Sequence, residues 1–390
     1  MKVCRDVYWV GAIDWCEKDF HGFEIHRGLT YNSYLITDEK VALIDGVKHN
    51  FVRDQLRKVE NYVKIEDIEY LVVNHIEPDH SGSIPEIVKR ANPTVICSKI
   101  GKEGLEDYYG CEGWNFKPVK TGDKVKLGTK TLTFIETPML HWPDSMMTWM
   151  DDGKVLFSMD VFGQHFAGSE RFDDELGVGE AVKWAKIYYA NVFMPFGKNV
   201  LNTVKKLRDL NIEPEIIAPS HGIVWRNPEI ILKKYIEWAK FKSDKKAVIV
   251  YDTMWHSTEK LAMAIAEGIM SKGVKVRIFN VRKDAWTDIM AEVLDAKAVC
   301  VGSPTMNGTV FPSVAGFLTY MRGLKPKNKI ATVFSSYGWG VGAYEEIIEV
   351  LKDMDFGIIE GLKVKFKPTE EELEVARELG EKIGEIIVER

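Results

Sequence analysis

The chain has 390 residues, 45% hydrophobic and 28% charged, with a formal net charge of -6. That length predicts about two or three domains with ample core, and an acidic balance without any Lys/Arg block argues against nucleic acid as a partner. No apolar run approaches the ~18 residues that span a bilayer, and the Met1 to Asp6 start lacks an apolar leader, so a cytoplasmic chain away from membranes is expected.

The five cysteines, Cys4, Cys16, Cys97, Cys111 and Cys300, form no C-x-x-C pair. The sequence therefore encodes neither a disulfide framework nor an iron–sulfur or rubredoxin module.

In chain order, Phe20-His21-Gly22-Phe23-Glu24-Ile25-His26 comes first, with two imidazoles that could border a pocket and supply protons or hydrogen bonds. The apolar run Tyr70 to Val73 then predicts a buried strand. It ends in Asn74-His75-Ile76-Glu77-Pro78-Asp79-His80, four potential metal ligands in six residues. Two imidazoles and two carboxylates are a mixed N/O set suited to iron, manganese or zinc. One ion rarely needs four ligands from one loop, so a pair of metals is the natural inference.

Three later runs repeat the pattern of a short strand closed by turn chemistry and then a ligand-type residue. Phe134 to Pro138 leads to His141, Val155 to Met159 leads to Asp160, and Ile216 to Ser220 leads to His221. Taken singly, each such residue is more often a cap or a hydrogen-bonded turn residue, and the dense first loop is what changes that reading. Trp142 and Trp149 are expected to pack against such a site and Met139, Met146 and Met147 to fill core, while Tyr188 and Tyr189, like His21 and His26, could border it, although ordinary core or surface roles are the commoner ones for such residues.

A helical run from Glu229 to Ala239 precedes a charged stretch, Lys240 to Lys246, where a domain boundary is expected. Beyond it, apolar runs at Ala247 to Tyr251, Val274 to Val281, Ala298 to Gly302, Lys329 to Phe334 and Leu362 to Phe366 alternate with helical stretches. That alternation predicts a parallel sheet covered on both faces. The first loop, Thr253-Met254-Trp255-His256-Ser257-Thr258, offers hydroxyls and helix-start amides that would cradle a phosphate. It is neither an ATP-type P-loop nor a dinucleotide fingerprint.

Two further loops, Ser303-Pro304-Thr305-Met306-Asn307 and Ser335-Ser336-Tyr337-Gly338-Trp339-Gly340, follow the third and fourth strands, where open α/β sheets bind ligands. Trp339 is the candidate to stack on or border a planar ligand, with Tyr337 second.

The ligand pattern resembles the metallo-β-lactamase superfamily, with Glu77 in place of the second His of the His-x-His-x-Asp-His loop. That replacement resembles the flavodiiron proteins. The resemblance implies that His75, Glu77 and His141 hold one iron, that Asp79 and His221 hold the other with His80 as a further ligand or turned away, and that Asp160 bridges them. The three later loops resemble those of flavodoxin, T-x-x-x-x-T running from Thr253 to Thr258, and imply FMN.

The resemblance covers the chain. It implies a metallo-β-lactamase-like αββα sandwich over residues 1 to 245, then a flavodoxin-like, doubly wound, five-stranded parallel sheet over 246 to 390. It also implies reduction of dioxygen to water, of nitric oxide to nitrous oxide, or both. Electrons would come from rubredoxin, another small carrier or a reduced deazaflavin coenzyme, and the unit would be a head-to-tail homodimer or a dimer of dimers. A dinuclear hydrolase, and a flavin carrier or gas sensor with an inert metal half, are the alternatives.

Overall fold

Short strands with alternating apolar residues build the first part of the chain. In the computed structural model, which describes residues 1–389, the chain divides into two units. One comprises Met1–Tyr189 and Phe196–Ile236, the other Ala190–Pro195 and the chain from Glu237 onward.

The first unit is built on two sheets. One orders its strands Lys2–Cys4, Val7–Trp9, Tyr34–Ile36, Val41–Ile44, Ile68–Val72, Thr94–Ser98 and Asn115–Val119. The other runs Lys124–Lys126, Thr131–Glu136, Met146–Met150, Val155–Met159 and Ile216–Pro219. Because strand side chains alternate, Tyr34, Ile36, Ile44 and Val72 of the first sheet meet Phe134, Met146, Met150 and Phe157 of the second in one apolar layer.

Leu35, Leu43, Leu71 and Val95 face the other way. They pack on Leu56, Val59, Ile87, Val88 and Leu105 of the helices Val52–Val59, Ile84–Ala91 and Lys99–Tyr109. The outer face of the second sheet is buried too, through Ile135, Met147, Leu156 and Ile217. There Lys206 of helix Gly197–Asp209 donates to Glu136 O at 2.6 Å. The result is an αββα sandwich, in which each fully buried aliphatic side chain contributes about 1.5–3 kcal/mol.

Parallel pairing decides where the ligand-type residues go. Ile68–Val72 is a central strand between Val41–Ile44 and Thr94–Ser98, parallel to both. Val155–Met159 is parallel to Ile216–Pro219, so Asp160 and His221 leave the same edge of their sheet.

In the second unit the sheet order is Lys275–Asn280, Lys246–Tyr251, Ala298–Met306, Ile330–Tyr337, followed by a fifth position, all parallel. This is the 2-1-3-4-5 order of a doubly wound sheet, with its ligand-binding crevice at the carboxyl ends of the first and third strands. The fifth position is split into Gly357–Ile358 and Leu362–Lys365, both parallel to Ile330–Tyr337. The third strand runs four residues beyond the expected Gly302, because Ser303 and Pro304 stay in register with Ser335 and Ser336 while Thr305 and Met306 pair back with Val310 and Thr309.

Leu261, Ile265 and Ile269 of helix Ser257–Ser271 pack with Ala376, Ile383 and Ile387 of the last helix, Glu370–Glu389. The segment Ala190–Pro195 groups with this unit, where Asn191 Nδ2 donates to Thr287 O at 3.1 Å and Tyr320 donates to Asn191 Oδ1 at 2.6 Å. No local pattern in the sequence marks that excursion. Among the described residues no helix is long and apolar enough to cross a membrane.

Candidate functional site

The loop after Ile68–Val72 is fixed before its first imidazole. Asn74 donates its backbone N–H to Asp45 Oδ1 at 2.7 Å and its side-chain amide to Asp45 Oδ2 at 2.9 Å. Thr148 donates to Asn74 Oδ1 at 2.7 Å, tying the loop across to the second sheet. Asp45 is fully buried, and that burial pushes its carboxyl up to about 6 despite the two amide donors.

From this anchor, His75, Glu77, His141 and Asp160 bring one ligand atom each into a common group, and Asp79, His80 and His221 form a second group of three. Glu77 Oε2 lies 3.2 Å from His75 Nε2 and 3.1 Å from His141 Nε2. Asp79 Oδ2 lies 3.1 Å from His80 Nε2 and 3.2 Å from His221 Nε2. Asp160 faces both groups: Oδ1 is 3.2 Å from His80 and 3.5 Å from His221, while Oδ2 is 3.4 Å from His141 and 3.8 Å from His75. Ser220 donates to Asp160 Oδ1 at 2.6 Å and steadies the carboxylate.

The hydrogen bonds behind the imidazoles decide what these contacts mean. His75 Nδ1 faces Asp144 Oδ2 at 3.0 Å, and His221 Nδ1 faces the carbonyl of Thr30 at 2.6 Å. Both partners are acceptors, so each Nδ1 carries a proton and each Nε2 is turned toward the cluster. Those Nε2 atoms face carboxylate oxygens, and although burial works against charge on His75, hydrogen bonds to Asp144 and Glu77 raise it well above the ordinary histidine range. Both oxygens of Asp79, both ring nitrogens of His80 and Asp160 Oδ2 are buried without a hydrogen-bond partner.

Imidazole nitrogens and carboxylate oxygens converging in a dry site require cations between them. Protons would meet that need in part. Burial disfavours charge on His80, but the adjacent carboxylates of Asp79 and Asp160 raise it to about 9. Burial likewise works against the charged form of Glu77, and bonding from His141 and His75 nevertheless holds its carboxyl well below the usual range. A pair of metal ions satisfies the same atoms with borderline N/O chemistry, so the residues fit a dinuclear centre of iron, manganese or zinc.

Around the cluster, His21 Nε2 approaches the other oxygen of Glu77, Oε1, at 3.1 Å. His21 and Gly22 form the tip of a two-residue hairpin between Asp19–Phe20 and Phe23–Glu24, both at positive φ. His26 lies elsewhere, exposed and 6.2 Å from the Trp184 ring. Tyr188 stands edge-on to His165 at 4.6 Å and 6.0 Å from His221, whereas Tyr189 turns to Tyr235.

His165 itself escaped the sequence reading. It sits five residues after Asp160, 5.8 Å from the His221 ring, and burial together with His221 holds it well below the ordinary histidine range. Its short distance in the chain from the candidate ligand Asp160 is the one available signal. Trp142 stands perpendicular to His75 at 5.0 Å as expected, but Trp149 does not reach the site. It alternates with Thr148, which faces Asn74, and so points to the opposite side of its sheet. Met146 and Met147 are fully buried, and Met139 is 38% exposed.

The second unit carries a cleft of about 880 Å³ at the carboxyl ends of its strands. Met254 to Ser257, Pro304 to Asn307 and Ser336 to Gly340 line it, which brings the three loops to one place. Thr253, Thr258, Ser303 and Ser335 stand behind the wall. Thr258 bonds Ser336 at 2.8 Å, and Ser335 donates to Ser303 O at 2.8 Å, so these hydroxyls tie the loops together. Thr253 Oγ1 is buried without a partner.

Lys260, Gly308, Phe366 and Lys367 also line the cleft and were not foreseen. Phe366 reaches it because its N–H donates to Tyr337 O at 2.7 Å, next to the loop. Three lining residues, His256, Asn307 and Phe366, hold the left-handed backbone conformation at φ 64°, 52° and 60°. Strain of roughly 1–3 kcal/mol each is thus concentrated on one rim.

Residues 29–222 match the ODP family beta lactamase, and residues 249–380 match flavodoxin. Over 390 residues the chain is 43% identical to a nitric oxide reductase of Moorella thermoacetica, covering 98% of each protein. Among solved structures, rubredoxin oxygen:oxidoreductase from Desulfovibrio gigas superposes with a TM-score of 0.97 at 38% identity, over 100% of this chain and 98% of that one. The flavodiiron protein of Giardia intestinalis gives a TM-score of 0.97 at 34% identity, over 100% of this chain and 96% of that one.

Proposed function

Because the chain belongs to the flavodiiron proteins, we propose that it reduces dioxygen to water, nitric oxide to nitrous oxide, or both, using two irons and FMN. The single observation that carries this reading is Asp160, whose two oxygens face two separate groups of ligand-type side chains. His75, Glu77 and His141 would hold one iron, Asp79, His80 and His221 the other, and Asp160 both. The cleft formed by the loops from Thr253, Ser303 and Ser335 would hold FMN. We take residues 1–245 as the metal-bearing domain and 246–390 as the flavin-bearing domain, a sequence boundary shortly after the Ile236 at which the first compact unit ends.

When bound, the reduced iron pair and the reduced flavin supply the four electrons that reduction of dioxygen to water requires. The chain's own residues do the rest. Asp144 and Thr30 hold two imidazoles in the tautomer and orientation that ligation needs. Phe20 lies edge-on to His165 and His221 at 5.7 and 6.3 Å, forming an apolar wall that keeps water out on that side. Tyr188 keeps its phenolic proton, since burial raises it well above the ordinary value. His165 stays neutral and retains one ring N–H. Both can donate hydrogen bonds toward a small gas at the cluster, and His21 steadies Glu77 from its free oxygen.

The electron donor is placed with rubredoxin-type carriers. The working assembly is proposed as a head-to-tail homodimer in the cytoplasm. Anaerobic purification, quantification of iron, zinc and FMN, and mixing of the reduced protein with either gas test the reading. About two irons and one FMN per chain with rapid flavin reoxidation is the expected result, and the faster gas names the substrate. Two zincs and a flavin indifferent to both gases would overturn it in favour of a hydrolase or a carrier.

A further inference from the structure

We propose that Lys365, Phe366 and Lys367, with Lys260 beside them, form the docking surface for a small, acidic electron-carrier protein. The proposal rests on the reading of the cleft as the flavin site and adds the place and the charge of the donor's contact.

Phe366 is 63% exposed, unusual for a bulky aromatic held in the left-handed conformation at φ 60°. Its backbone is held in place. Its N–H donates to Tyr337 O at 2.7 Å, continuing the ladder in which Lys365 faces Tyr337. Its ring lies over Gly338, where an added Cβ would meet Phe366 Cε1 at 3.2 Å. The backbone thus fixes an exposed aromatic face at the edge of the cleft.

Within the cleft wall the charged side chains beside that face are of one sign. Lys260 and Lys367 line the cleft, and no Asp or Glu does, although the chain carries 58 acidic residues against 52 Lys and Arg. Lys365 stands outside the cleft wall, its ammonium 5.5 Å from the Phe366 ring centre. Among the described residues, none of these three lysines is paired with a carboxylate, whereas Lys363 on the same strand is taken up by Glu345 at 2.9 Å. Lysines on an edge strand commonly serve only to block strand addition. Here the unpaired ones gather at the end of the strand that meets the cleft.

A chain of net charge -6 repels an acidic partner at long range, so a local cationic patch around an exposed aromatic favours approach at one place. The patch extends past the cleft to Lys365, beyond what a ligand seated inside would touch. That reach points to a protein. A small contact with an apolar centre and a charged rim also suits a carrier that must leave quickly.

The test is stopped-flow reduction of the bound flavin by a reduced rubredoxin of net negative charge, across a series of ionic strengths, in wild type, Lys365→Glu and Lys365→Arg. Charge reversal should slow donor-driven reduction by about tenfold at low salt, with the gap closing at high salt, while the arginine variant keeps the wild-type rate. Flavin content, photochemical reduction and reoxidation by gas should be unchanged in all three. A charge-reversed variant reduced at the wild-type rate would overturn the proposal. So would a loss that ignores salt, a change of oligomeric state accompanying the loss, or a wild-type flavin that acidic rubredoxin cannot reduce at any ionic strength. If photoreduced wild type fails to react with either gas, the proposed activity falls, yet the donor-to-flavin rates still decide this surface.

Discussion

His80 Nε2 lies 3.2 Å from Asp160 Oδ1, so the imidazole whose direction the sequence leaves open is turned into the cluster. Asp79 Oδ2 lies 3.1 Å from the same nitrogen, which puts Nε2 among the proposed ligand atoms. Replacing His80 with Ala should weaken retention of one iron by about tenfold or more while the other stays. Asp160→Asn should weaken both. Iron per chain after graded chelation, read by elemental analysis, separates the two patterns.

Asp144 touches no candidate iron position, yet it bonds both His75 Nδ1 and the backbone N–H of Ile76. Asp144→Asn keeps the shape but can present an N–H where an acceptor is needed. The expected cost is about 10–100-fold in metal affinity, measured by competition with a chromophoric chelator.

His165→Phe should leave iron and flavin content intact and lower gas turnover by about tenfold to a hundredfold, because it removes one of two neutral hydrogen-bond donors beside His221. The companion variant Tyr188→Phe should behave similarly. A solvent isotope effect that grows in either variant would mark proton delivery as limiting.

Gly222 follows His221 at φ 79°, and an added Cβ would lie 2.1 Å from Gln164 Oε1. That oxygen accepts from Ile223 N at 2.7 Å and cannot move without losing the bond. Gly222→Ala should therefore destabilise the iron-free protein by about 1–3 kcal/mol in urea unfolding and loosen the His221 ligand.

Burial pushes the thiols of Cys97 and Cys300 up to about 12. An acid whose folded value is raised costs nothing below its unfolded value, near 9, and loses stability as pH climbs from there toward the folded value. At about one unit above the unfolded value each thiol should cost roughly 1.4 kcal/mol, and Cys300→Ala should remove one proton from the alkaline slope. In the native protein at neutral pH, exposed Cys16 should be the fast-reacting thiol, with the buried ones reacting only after unfolding.

What the sequence could and could not disclose follows from range. The loop from Asn74 to His80 is dense enough to be read locally, and His141, Asp160 and His221 each follow a recognisable strand, so all seven could be named without knowing how the sheets pack. His165, Lys260 and Phe366 could not, because tertiary pairing alone carries them to their sites. Phe366 enters the cleft only because Leu362–Lys365 lies alongside Ile330–Tyr337. Trp149 shows the converse: it was placed near the cluster by proximity in sequence, and the two-residue period of its strand turned it away. The excursion of Ala190–Pro195 into the second unit had no local signature at all.

The three left-handed residues on the cleft rim have one more consequence. A left-handed backbone is one that β-branched side chains rarely adopt, so these positions limit which residues the rim can carry. Valine or isoleucine at His256, Asn307 or Phe366 should therefore reshape the opening and loosen the flavin, even though none of these substitutions removes a charge that the cleft depends on.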